Sequence, residues 1–163
     1  MFLQYFKKKE NTYKIKAESL YAQILKYSKE LNNKNFFNNI NFDTSFEITS
    51  IILILYLKEF KEKKEDKFYK INDFLLQIFI NDLDHSFRKI GIGDMSIGKY
   101  VKKYVKKYYF RIKQLDSLLI DSKSIEFEEY LKNIKDINKK NIKVILKKIK
   151  KILYEIKKSE DSG

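Results

Sequence analysis

The 163 residues suffice for one ordinary domain, and 44% hydrophobic residues with 15% aromatics exclude a disordered polypeptide although 35% of the chain is charged. No proline and only four glycines leave too few turn formers for a sandwich or barrel, so an all-α fold is expected. The chain has no cysteine, which removes disulfides and thiolate chemistry, and one histidine, which is too few for a zinc site and a poor basis for a triad; the net charge of +13 rests on lysine, since only Arg88 and Arg111 are arginine.

Lysines at positions 7, 8 and 9 interrupt the apolar start, so no secretory leader is read. The longest apolar run, residues 51–57, is far short of the roughly 20 residues that a membrane span needs. These features predict a cytosolic chain. Residues 1–12 read as a flexible tail. Leu20, Tyr21, Ile24, Leu25 and Leu31 recur at helical spacing and predict a first helix over residues 14–31, closed by an Asn-rich stretch in which Phe36, Phe37 and Ile40 reach the core. Thr44 and Glu47 have the spacing of a capping box ahead of a second helix that runs to residue 63. Because residues 51–57 are apolar on every side, that helix should be buried all round.

Residues 61–67 read as a solvated link. Ile71, Phe74, Leu75, Ile78, Leu83, Phe87 and Ile90 then predict a third helix ending at Gly91. From Ile97 onward, Val101, Tyr104, Val105, Tyr108, Ile112, Leu115 and Leu119 predict a fourth, with Lys99, Lys102, Lys103, Lys106 and Lys107 on the opposite face. Ser124 caps a short fifth helix. Ile142, Ile145, Ile149, Ile152 and Ile156 step in heptads along a sixth, packing within the domain or against another chain. The expected architecture is a single compact bundle of about six helices around a buried central one, over residues 13–158, with 159–163 a disordered tail.

Three of the four glycines, Gly91, Gly93 and Gly98, fall within eight residues, which predicts positive φ or close approach there. The segment from Gly93 to Tyr100 follows the phosphate-binding pattern G-x-x-x-x-G-K-[ST] except at Tyr100, but the preceding residues are helical in period, so a nucleotide site is disfavoured. His85 reads as a surface residue, with Asp84 and Arg88 forming an i, i+4 pair. Residues 97–163 carry 19 basic and 9 acidic groups, net +10. That cationic half is a solvated helix face or a contact for anionic lipid or RNA. No catalytic residue, metal site or cofactor emerges.

Residues 82–103 resemble the signature of the ubiquinol-cytochrome c chaperone family, with Asp82, Asp84, Arg88, Gly91, Gly93, Asp94, Gly98, Lys99, Lys102 and Lys103 at the family's spacing. Tyr108-Tyr109-Phe110-Arg111 looks like the family's F-Y-G-R, with Phe110 replacing the glycine. Asp43-Thr44 and Phe46-Glu47 look like its P-D-T segment and core helix, with Phe42 in place of proline and Ile52 in place of histidine. The resemblance spans residues 17–120. It implies a non-enzymatic assembly factor for respiratory complex III that binds newly made cytochrome b, peripheral to the inner membrane (matrix side in a eukaryote). Mitochondrial members act with a small partner protein at the ribosome. The implied contact surface is Arg88, Gly91, Gly93, Asp94, Gly98, Lys99, Lys102 and Lys103, supported by Asp82 and Asp84. The alternative drawn from charge alone is a nonspecific nucleic-acid-binding helical protein.

Overall fold

Residues 2–31 contain neither proline nor glycine and are rich in good helix formers, and in the computed structural model, which describes residues 2–120 and 124–161, they form one helix, α1 (Phe2–Leu31). The helix therefore starts at Phe2, not near residue 14, and residues 2–12 are helical where a tail was expected. Periodicity missed this start because residues 7–12 are exposed, and a helix without a buried face leaves no apolar stripe.

α2 (Phe42–Glu62) is capped one turn earlier than the Thr44–Glu47 spacing suggests. The Asn41 carboxamide oxygen accepts from the Thr44 N–H (3.0 Å), and the Thr44 hydroxyl accepts from the Asn41 N–H (3.0 Å). Asparagine is a strong N-cap, and the reciprocal bonds satisfy two otherwise unpaired donors, leaving Glu47 for another role. Residues 46–56 are buried without interruption, as all-round apolarity predicted. The remaining helices are α3 (Asp66–Lys89), α4 (Asp94–Ile120), α5 (Ser124–Lys132) and α6 (Ile142–Asp161), the last entered through a 3-10 turn at Lys139–Asn141. The fold is all-α, and among the described residues no strand forms. The capping role read for Ser124 and the end of the predicted C-terminal tail lie outside the described side chains and residues, while residues 159–161 are helical.

The chain divides into two compact units. One comprises residues 1–23 and 60–110. Within it the Tyr21 hydroxyl donates to Asp82 (2.7 Å), and aromatic rings pair as Phe60 with Phe68, Phe79 with Tyr108, and Phe87 with Tyr104, each at 5.1 Å between centroids. Such pairs add to the burial of apolar surface that holds the unit together.

The other comprises residues 24–59 and 111–163. Here the Asn-rich connection is pinned by more than its aromatics. Phe36 and Phe37 are buried, but Ile40 is 44% exposed. Main-chain bonds from Asn38 to the Asp136 carbonyl and from Asn138 to the Phe36 carbonyl, both 2.7 Å, flank an antiparallel bridge between Phe37 and Ile137. The carboxamides of Asn138 and Asn141 both donate to the Asn35 carbonyl (3.2 and 2.6 Å). The isoleucines of α6 are buried within this chain.

Asn41→Ala is expected to lower stability by about 1 kcal/mol in urea unfolding, the usual cost of a lost N-cap. A second expectation concerns the twelve tyrosines. Burial, then a hydrogen bond to Glu155, pushes Tyr27 up to about 12, and burial raises Tyr21, Tyr108 and Tyr130 further. A raised phenol stabilises the fold fully below its ordinary pKa near 10, and for Tyr27 that contribution is lost as pH climbs from there to about 12. Ultraviolet titration should therefore show a late group of tyrosinates whose ionisation coincides with alkaline unfolding.

Candidate functional site

The glycine cluster joins α3 to α4, and its backbone follows from how α3 ends. The Ile92 N–H donates to the Phe87 carbonyl and the Gly91 N–H to the Arg88 carbonyl, both 3.1 Å, the two bonds of a Schellman cap. Gly91 has φ +91°, a conformation that L side chains avoid. Gly93 then begins α4, its carbonyl accepting from the N–H groups of Ser96 (2.9 Å) and Ile97 (3.2 Å). Neither Gly93 nor Gly98 has a positive φ, and a Cβ on either would meet nothing within 4 Å. Only one of the three clustered glycines is therefore demanded by the backbone.

Arg88 clasps this loop. Its Nε donates to Asp84 Oδ1 (2.7 Å) one turn back, as the i, i+4 spacing predicted, and its Nη1 donates to Asp94 at the start of α4. These two bonds, to Asp84 first and then Asp94, raise the guanidinium above its ordinary pKa. Asp82 faces elsewhere and accepts from Tyr21, and His85 is exposed. The clasp thus brings Arg88, Gly91, Gly93 and Asp94 to one end of α4. Gly98, Lys99, Lys102 and Lys103 follow on the exposed side of that helix, opposite buried Ile97, Tyr104 and Tyr108. A phosphate-binding loop does not form here: Gly93 to Lys99 is the opening of a helix, preceded by helix α3 in place of the strand such a loop requires.

A second centre went unread in the sequence. Glu47, 5% exposed on α2, receives both edges of Arg111 on α4: Nε to Oε2 at 2.8 Å and Nη2 to Oε1 at 2.7 Å. Nη1 donates to the Gln114 carboxamide (2.9 Å). The bonds to Glu47 hold the guanidinium above its usual range despite partial burial. Arg111 also lines a pocket of about 300 Å³ with Gln114, Leu118, Glu126, Tyr130, Asn133 and Ile134. The available signal was rarity: Arg111 is one of two arginines, and Glu47 follows Phe46 where α2 turns fully apolar. Arg111→Met should cost about 3 kcal/mol in denaturant unfolding by removing the bidentate partner of a buried carboxylate, and Glu47→Gln in the same chain should restore part of it.

A sequence model described as Ubiquinol-cytochrome C chaperone matches residues 34–152. Both the glycine loop and the Glu47–Arg111 pair fall inside that span. Among solved structures, one described as the crystal structure of the Cbp3 homolog from Brucella abortus is similar at a TM-score of 0.68 and 24% identity, over 83% of this chain and 75% of that one. At that identity the likeness is one of fold. No curated protein matches the chain.

Proposed function

The chain belongs to the ubiquinol-cytochrome c chaperone family and is an assembly chaperone for respiratory complex III; from that premise we propose that its client is newly made cytochrome b, held through the Arg88–Lys103 surface. The observation that carries the reading is the surface itself. Arg88, Gly91, Gly93 and Asp94 are drawn into one clasped turn, and Gly98, Lys99, Lys102 and Lys103 continue from it along exposed helix. None of the three lysines makes an ion pair among the described residues, so their charge is available to a partner. A chaperone needs a rigid frame that presents adaptable contacts, and here the Schellman cap and the Arg88 clasp supply rigidity while the lysine side chains supply reach.

No helix of the described residues is long and apolar enough to cross a membrane. Contact with an inner membrane would therefore be peripheral in these helices, with lysine side chains meeting anionic headgroups beside the client. The ribosome and a small partner protein belong to the same reading as further partners. No reaction is assigned to the chain.

Deletion of the gene should lower assembled complex III and its ubiquinol–cytochrome c reductase activity in native membranes, and normal levels would refute the reading. In the complemented strain, Lys99→Gln, Lys102→Gln and Lys103→Gln together should reduce cytochrome b recovered with the tagged protein roughly tenfold, the combined effect of three exposed charge contacts, without lowering Tm.

A further inference from the structure

The exposed side of α4 carries a glycine for which the fold has no use. Gly98 lies in the second turn of the helix, away from the caps, without positive φ, and a Cβ there would enter open space. Glycine inside a helix is less favourable than alanine because it surrenders more backbone freedom on folding. Nothing within the chain repays that loss. Its surroundings are exposed as well: Met95, three residues earlier, is at 102%, and Lys102 and Tyr109 continue the same line at i+4 and i+11. From residue 95 to residue 115 there is no acidic side chain. Lys99, Lys102, Lys103 and Lys106 are all exposed, and none is ion-paired among the described residues.

We propose that this strip of α4 docks a helix of the client polypeptide, whose backbone comes closest at Gly98 and whose carboxylates, spaced about one turn apart, meet Lys99, Lys102 and Lys106. The proposal rests on the client-binding reading above and narrows it to one kind of structural element. A missing side chain lets two helix backbones approach more closely than the 8–10 Å typical of side-chain-mediated packing. Lipid headgroups and nucleic-acid backbones, which are soft and hydrated, would gain little from such a notch. Charge complementarity sets the register: lysines at i, i+3 and i+7 call for acids at matching intervals on the partner. Met95 then supplies the apolar contact beside the notch.

The test places a photo-crosslinking residue at Met95 in the full-length protein in its native host, with a second version carrying it at Ile125, an exposed position on α5. Adducts are analysed for protein, lipid and nucleic acid. The expected result is a Met95 adduct to an acidic helical segment of cytochrome b. Gly98→Leu should diminish it at least tenfold while circular dichroism still shows a folded helical protein, and Gly98→Ala should weaken it while raising Tm. Adducts to lipid or nucleic acid, or a polypeptide adduct undiminished by Gly98→Leu, would overturn the proposal. An adduct to cytochrome b at Ile125 with none at Met95 would defeat this docking mode and leave the client assignment standing. No polypeptide adduct at either position, with normal complex III after gene deletion, would defeat both.

Discussion

The buried bidentate pair between Glu47 and Arg111 is the constraint around which the largest buried segment is arranged. Residues 46–56 of α2 have no solvent face, and a carboxylate among them is tolerable only if its charge and lone pairs are met. Arg111 does this with two nearly parallel N–H bonds, a geometry that lysine does not offer. In a chain that uses lysine almost everywhere, arginine appears here and at the loop clasp, and at each place its guanidinium bonds two side chains at once.

Both arginines show the same logic at different depths. Arg111 meets a carboxylate almost removed from water, so its partner could not be lost cheaply. Arg88 is exposed, so screening leaves its two ion pairs little energetic weight, and their value is geometric: they tie the end of α3 to the start of α4 across the glycine turn. The α4 helix then separates two tasks by face. Tyr104 and Tyr108 pack against Phe87 and Phe79, while Lys99, Lys102, Lys103 and Lys106 are exposed on the other side. A lysine-rich outer face without acids is unfavourable for an isolated helix, because like charges repel at i, i+4, and aromatic packing on the inner face offsets it.

Helix number and order were legible because each buried face repeats its apolar residues at helical spacing: α6 buries every isoleucine the pattern selected, and α3 and α4 bury Ile71, Leu75, Leu83, Phe87, Tyr104, Tyr108 and Leu115, whereas Phe74 and Ile78 are half-buried and Ile90 is exposed. The all-round burial of α2 and the termination of α3 at Gly91 were legible for equally local reasons, an unbroken apolar run and a helix end that needs a left-handed residue. Local pattern failed where the helix is exposed, as over residues 7–12 of α1, and where two candidate caps stood within one turn of each other, so that Thr44 was read as the cap and Asn41 passed over. It also gave all three clustered glycines the same meaning, whereas only Gly91 takes a conformation that demands one.

The sequence by itself determined the all-α class, the helix faces and, through the signature over residues 82–103, the family. Each of these depends on residues a few positions apart, whose relation is set by helix periodicity before any tertiary contact forms. Only the tertiary structure decided that Glu47 meets Arg111 across 64 positions, that Asn35, Asn138 and Asn141 close the Asn-rich connection, and that Gly98 faces open space. Such pairings are made between segments distant in the chain, where spacing carries no information and the partner is chosen by which buried polar group must be satisfied.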